Sequence, residues 1–138
     1  MAFCAFLAII GGCDMKIIIY GEKQDEKELM DMLLQTRLAS KSMQYRFCDR
    51  YGDFLNAIKT EPTDLFIVTA DGEKGRNAVI AAFKHRPDVA RMWFPAEKEY
   101  VMESYEFGCT WFAPKPFAQK PLTQAVERYL EPQKGWWP

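Results

Sequence analysis

The sequence lacks the cysteine and histidine sets that hold zinc ions or disulfide frameworks. Its four cysteines, Cys4, Cys13, Cys48 and Cys109, contain no Cys-x-x-Cys pair, and His85 is the only histidine. No zinc-type ligand set exists among them. Free thiols in a reducing cytoplasm are therefore expected.

The chain also lacks an excess of charge of either sign. Lysine and arginine number 18 against 19 aspartate and glutamate residues, so the formal net charge is −1. We therefore expect no direct binding of nucleic acid and no membrane patch. Gly72-Glu73-Lys74-Gly75 is not a nucleotide-phosphate loop, because no Gly-Lys-Ser/Thr follows it. A small ligand binder or a small enzyme is accordingly the least favoured class, and the protein is not expected to be an enzyme.

No hydrophobic run in the sequence is long enough to cross a bilayer. Residues 1–14 form a short apolar extension with no Lys or Arg ahead of it, so an extra strand or an upstream start codon is favoured over an export signal. Met15 opens MKIIIYGE, a natural beginning for a domain. We predict a domain over residues 15–131 and a tail over residues 132–138.

Short apolar runs alternate with amphipathic stretches along residues 15–131, which is typical of βα units. Strands are predicted at 16–20, 43–48, 65–68, 89–94 and 110–113, and helices at 25–39, 53–59, 76–85, 97–107 and 119–130. Strict alternation predicts a flavodoxin-like, doubly wound three-layer α/β sandwich whose five-stranded parallel sheet has the order 2-1-3-4-5. Such sheets place their sites at the carboxyl ends of the strands, here the loops after Tyr20, Thr69, Phe94 and Ala113.

Three stretches carry a family likeness. MKIIIYGE, DLFIVTADG from Asp64, and RPDVARMWFPAEKEYVMESYEFGCTWFAPKPF from Arg86 follow one another in the expected order without large gaps. They resemble the first strand, the third strand, and the fourth to fifth strands of the receiver domain of bacterial response regulators. The sequence pattern of the last stretch is most similar to that of receivers of the LytTR group.

The resemblance implies that most of the phosphorylation chemistry is replaced. The acidic cluster after the first strand corresponds to Tyr20, Gly21 and Glu22, of which only Glu22 is acidic. The phosphoacceptor position, five residues after Asp64, is Thr69. A threonine hydroxyl cannot form the acyl phosphate of an aspartate, and a lone glutamate is a poor magnesium site.

The remaining receiver positions lie after the fourth strand and around the fifth. The resemblance implies that Pro95 stands where a hydroxyl would bind phosphate, and that Phe112 is the aromatic reporter of the fifth strand. Lys115 is the retained lysine, and its peptide bond to Pro116 is cis in the family. With no phosphate or aspartate to pair with, Lys115 is expected to bond Glu22, a backbone carbonyl or water.

These replacements predict a degenerate receiver, or pseudo-receiver, with no cofactor. One alternative remains, because Asp71 lies two residues after Thr69 and could pair with Glu22 to hold Mg²⁺ and accept phosphate. The other interpretation of Asp71-Gly72 is a simple turn dipeptide.

The predicted function is a two-component signalling module that acts through protein contacts. In the family, the surface of the fourth helix, fifth strand and fifth helix forms dimers or holds an output domain. Candidate contact residues there are Tyr100, Tyr105, Trp111 and Tyr129. Helical spacing makes the core the default location for Tyr105 and Met102. Trp136 and Trp137 of the tail are further candidates for contacts.

LytTR-type regulators carry a DNA-binding output domain after the receiver. No such domain is visible in this sequence, so the chain belongs either to a transcription regulator or to a stand-alone module. We expect a cytoplasmic protein whose partner is another protein or a second copy.

Overall fold

Five parallel strands form the central layer of the computed structural model, which describes residues 15–131. The strands are β1 Met15–Tyr20, β2 Met43–Cys48, β3 Leu65–Val68, β4 Ala90–Trp93 and β5 Trp111–Phe112. Their order is β2-β1-β3-β4-β5, and every neighbouring pair is parallel. The predicted flavodoxin-like fold and strand order are confirmed. The predicted apolar extension (1–14) and tail (132–138) lie outside the described residues.

Helices cover both faces of this sheet. They are α1 Glu26–Leu33, α2 Tyr51–Thr60, α3 Gly72–His85, α4 Val101–Glu106 and α5 Gln119–Leu130, with single 3₁₀ turns at Lys23–Asp25, Arg37–Ser40 and Lys98–Tyr100. Between residues 15 and 131, no helix is long and apolar enough to cross a membrane.

The apolar strands account for this layering, because alternate side chains point to opposite faces of a sheet. Ile18 and Phe66 face α2 and α3, whereas Ile17, Ile19 and Ile67 face α1 and α5, and all five are fully buried. Burial of each such side chain contributes roughly 1.5–3 kcal/mol. The two apolar clusters hold the strands in register and so fix the positions of the loops at their ends.

Three helices differ from the sequence prediction by more than two residues. The third begins at Gly72, four residues before its predicted start at residue 76. The first helix was predicted to continue to residue 39 but ends at Leu33. The Thr36 hydroxyl donates to the Leu33 carbonyl and accepts from the Leu38 amide, and these two bonds start a 3₁₀ turn in place of further helix. The fourth was predicted as one helix over 97–107 but is a 3₁₀ turn followed by the six-residue α4, whose only buried side chain is Ser104. The prediction of continuous helices was wrong there. By contrast, the bounds predicted for β3 and α5 are confirmed.

A buried arginine closes the end of the sheet opposite to the strands' carboxyl ends. Arg91 on β4 is 3% exposed, and its guanidinium donates to the backbone carbonyls of Arg86, Pro87, Val89, Phe107 and Gly108. Burial lowers the pKa of Arg91. This side chain joins the turn before β4 to the turn after α4.

Candidate functional site

The loops after β1, β3, β4 and β5 meet at the carboxyl edge of the sheet, where doubly wound folds place their sites. The β5 loop is held at this edge by its backbone, because the Lys115 amide donates to the Pro95 carbonyl at 2.7 Å. The Lys115–Pro116 peptide is cis, as the resemblance implied. The side chain of Lys115 reaches the loops that follow β1 and β3.

Two carboxylates share the ammonium group of Lys115. Its Nζ lies 2.8 Å from Asp71 Oδ1 and 3.2 Å from Asp25 Oδ2. The lysine side chain is 17% exposed, so its ion pairs are partly shielded from water. The predicted partner Glu22 is replaced by Asp25, because the 3₁₀ turn Lys23–Asp25 curls the chain back after the exposed Glu22.

Asp71 also ties two loops together. Its Oδ1 accepts a hydrogen bond from the Ala96 amide at 2.9 Å, and Glu97 Oε1 accepts one from the Gly72 amide at 3.0 Å. Asp71 directly precedes α3, where the helix dipole favours a negative charge. These reciprocal bonds, which we call the loop clamp, connect the loop after β3 to the loop after β4. Asp71 therefore links two loops, which a simple Asp-Gly turn would not do.

Thr69 is closed off from this cluster. It is 0% exposed, its Oγ1 has no hydrogen-bond partner among the described residues, and its amide donates to the Tyr20 carbonyl at 2.8 Å. A Cβ added to Gly21 would lie 1.9 Å from Thr69 Oγ1. The ends of β1 and β3 thus approach so closely that only glycine fits opposite Thr69.

The other predicted positions are apolar or packed inward. Tyr20 points into the interior, where its ring stacks on Phe54 at 5.3 Å and burial raises the pKa of its hydroxyl. Pro95 is buried and offers only its carbonyl oxygen, which Lys115 uses. Phe112 packs edge-on against the fully buried Trp93, with ring centroids 5.5 Å apart.

These side chains do not form a metal-binding set. Within residues 15–131, no group of three or more His, Cys, Asp or Glu side chains is arranged to hold an ion. Asp25 and Asp71 are bridged by the ammonium of Lys115. A divalent cation held by both carboxylates would have to displace that ammonium.

The predicted contact surface is only partly exposed. Tyr105 and Met102 on α4 are 77% and 72% exposed, so their default assignment to the core was wrong. The reason is that the short α4 buries only Ser104 and turns these two side chains outward. Tyr100, Trp111 and Tyr129, in contrast, are half-buried against the two apolar clusters.

Sequence comparison finds no match, because no family model and no curated protein matches the chain significantly. Solved structures do match it, and they define its class of fold, which is that of the receiver (CheY-like) domain of response regulators. One is the non-phosphorylated HemR receiver domain from Leptospira biflexa, with 19% identity and a TM-score of 0.66, covering 89% of this chain and 99% of that one.

Two further structures illustrate the range of proteins with this fold. The response regulator TrrA from Thermotoga maritima, in complex with Mg²⁺ and BeF, has 16% identity and a TM-score of 0.65 over 84% of this chain and 99% of that one. The putative pilus assembly protein CpaE2 from Sinorhizobium meliloti has 10% identity and a TM-score of 0.66, over 84% of this chain and all of that one. At these identities the likeness concerns the fold.

Proposed function

We propose that this protein is a receiver-like module of two-component signalling that acts through protein contacts and without the usual aspartyl phosphorylation. The observation that carries the proposal is Thr69. It occupies the position that the receiver resemblance assigns to the phosphoacceptor, yet it is fully buried and packs so closely on Gly21 that a Cβ there would lie 1.9 Å from its Oγ1. A phosphoryl donor has no route to its hydroxyl, and no base lies within hydrogen-bond distance of that hydroxyl among the described residues.

The charges around Lys115 support the same conclusion. In the structure this lysine balances Asp25 and Asp71 from within the protein, at 3.2 and 2.8 Å. Phosphoryl transfer to a carboxylate needs a metal ion that neutralises the developing charge. The ammonium of Lys115 already neutralises Asp25 and Asp71, so these carboxylates are paired without an external cation.

The surface chemistry favours a protein as the partner. Exposed Tyr105 and Met102 are residue types enriched at protein interfaces, and Tyr105 lines the same pocket as half-buried Trp111. The net charge of −1 gives no attraction to nucleic acid or to anionic lipid. We therefore propose that α4, β5 and α5 contact another protein or a second copy in the cytoplasm, and that the domain has no enzymatic activity of its own. Membership of the LytTR group, with a DNA-binding output domain elsewhere, is part of this proposal.

The contact between Lys115 and Asp71 favours one second candidate, a phosphorylatable receiver that uses Asp71. Asp71 is 44% exposed, and its Oδ1 already meets the retained lysine. The carboxylate that accompanies it in the structure is Asp25 rather than the predicted Glu22. This candidate requires Mg²⁺ to displace Lys115 from both carboxylates.

One titration separates the two candidates. Magnesium and beryllofluoride are added to the full chain while amide chemical shifts and the thermal midpoint are followed. We expect no saturable change at millimolar metal in the wild type. A saturable change that disappears in Asp71→Asn, but persists in the matched control Asp88→Asn, would overturn the proposal in favour of the second candidate. Asp88 suits this purpose because it is exposed and precedes β4, at the opposite end of the sheet.

A further inference from the structure

Asp71-Gly72 is the only Asp-Gly or Asn-Gly dipeptide in the sequence. Such a dipeptide can rearrange without an enzyme, because glycine has no Cβ to obstruct attack of its backbone nitrogen on the preceding carboxyl carbon. In this protein the same two residues form the loop clamp. Asp71 Oδ1 is bound to the Ala96 amide, and the Gly72 amide is bound to Glu97 Oε1. The two groups that would react are thus the two groups that the clamp holds.

We propose that Asp71-Gly72 is a modification site, where isoaspartate forms once the loop clamp has opened and which the closed clamp protects. In the first step a bond forms between the Gly72 nitrogen and Asp71 Cγ. The amide gives up its proton, and one carboxyl oxygen leaves as water, so a five-membered succinimide ring results. In the second step water adds to the main-chain carbonyl carbon of Asp71 and the bond from that carbon to nitrogen breaks. The chain then continues through Cγ, with no net change in mass.

The closed clamp keeps the backbone away from the geometry of this ring. Ring closure needs the Asp71 Cβ and the Gly72 nitrogen to be nearly eclipsed about the bond between Cα and the carbonyl carbon. The backbone of Asp71 is extended, with φ −88° and ψ 161°, which turns these two atoms away from each other. Rotation about that bond moves the Gly72 amide relative to the Asp71 carboxylate, so it breaks at least one bond of the clamp. Ring closure and the closed clamp therefore exclude each other.

Lys115 adds a third restraint on the reacting carboxylate. Its Nζ lies 2.8 Å from Asp71 Oδ1, the same oxygen that accepts from the Ala96 amide. Both contacts must be released before Cγ can approach the Gly72 nitrogen. Water for the second step is at hand, because the Asp71 side chain is 44% exposed. The reaction is thus limited by the opening of the loops and not by access of water.

Isoaspartate at residue 71 would prevent the clamp from closing again. The rearrangement lengthens the backbone before α3 by one carbon and leaves a carboxylate attached directly to Cα. That shorter group cannot reach both Ala96 and Lys115 from the same backbone position, and Gly72 is displaced from Glu97. The proposal involves neither phosphoryl transfer nor a partner, so it stands or falls separately from the proposed function.

The test compares isoaspartate formation in the folded chain with that in urea at the same pH and temperature. The full chain is incubated, and isoaspartate at residue 71 is measured by peptide mass spectrometry with electron-transfer fragmentation. We expect steady accumulation in urea and formation at least roughly tenfold slower in the folded chain, because only open molecules react. Equal rates in the two conditions, or no isoaspartate at residue 71 in urea, would overturn the proposal.

Three variants show whether the clamp is the protecting element. Glu97→Ala should accelerate the reaction in the folded chain roughly fivefold, the factor that corresponds to about 1 kcal/mol for one lost hydrogen bond. Glu99→Ala is the matched control, since Glu99 is exposed and lies in the adjacent 3₁₀ turn, and it should leave the rate unchanged.

Ile58→Val weakens the fold as a whole without touching the clamp, because Ile58 is fully buried on α2. It should also leave the rate unchanged. No acceleration in Glu97→Ala would contradict the proposal. Equal acceleration in Ile58→Val would do so as well, since the reaction would then proceed through global unfolding.

Discussion

The close approach of β1 and β3 at Gly21 can be tested by a double-mutant cycle. In Gly21→Ala the new methyl carbon would lie 1.9 Å from Thr69 Oγ1, far inside contact distance. The Thr69 side chain is fully buried, so its hydroxyl can give way only by displacing or repacking against its neighbours. Overpacking of this kind costs typically about 1–3 kcal/mol, and we expect about 2–3 kcal/mol of lost unfolding free energy here.

Thr69→Ala removes the atom that clashes. The nearest remaining atoms to the added methyl carbon are then the Thr69 Cβ position at 3.3 Å and Phe47 Cζ at 3.5 Å, close to ordinary contact. In the Thr69→Ala background, Gly21→Ala should therefore cost less than about 1 kcal/mol, which gives a coupling energy of about 2 kcal/mol. Urea denaturation of the four proteins, followed by circular dichroism, measures all the terms.

Gly52→Ala is the control for the effect of alanine itself. A Cβ at Gly52, in the first turn of α2, has no atom within 4 Å. This substitution should be neutral or stabilising by up to about 1 kcal/mol, because alanine favours helix formation. If Gly21→Ala costs the same in both Thr69 backgrounds, the ends of β1 and β3 do not contact each other at Gly21 and Thr69 as described.

Three further predictions concern buried polar groups. Thr69→Val removes a hydroxyl without a described partner, so it should not lower the unfolding free energy and should raise it by up to about 1 kcal/mol; a clear loss in urea denaturation would indicate a bound hydroxyl. Arg91→Met leaves five backbone carbonyls without their donor and should cost about 3 kcal/mol, against less than about 0.5 kcal/mol for the exposed Arg50→Met. Burial raises the pKa of Cys109 to about 12, so the thiol favours folding below its ordinary pKa of 9.0 and this contribution is lost as the pH rises toward 12. Alkylation of Cys109 at pH 8, followed by mass spectrometry, should be at least roughly a hundredfold slower in the folded chain than in urea, and similar rates would contradict its burial.

The sequence predicted the fold well because the strands are almost wholly apolar. Leu65–Val68 is buried on both faces, and such a run has few alternatives to a central parallel strand. The ends of α1 and α4 were mispredicted because they depend on local side-chain bonding by Thr36 and on how little of α4 is buried. Hydrophobic spacing carries no information on either of these.

The candidate site was predictable only in its location. Alternation of strands and helices placed Lys115 and Asp71 at one edge of the sheet, but their 2.8 Å contact joins residues 44 positions apart. Asp25 was missed because it reaches Lys115 only through a 3₁₀ turn of three residues. An acidic residue within one turn of the end of β1 was the available signal, since such a turn can bring it back toward the strand end.

The loop clamp has a consequence for the motions of this edge. The Gly72 and Ala96 amides are each bound by a carboxylate from the other's loop, so neither hydrogen can exchange with solvent until a bond between the loops breaks. Because Asp71 also binds Lys115, breaking its bond to Ala96 loosens the β5 loop as well. We therefore expect the three loops to open together rather than one by one.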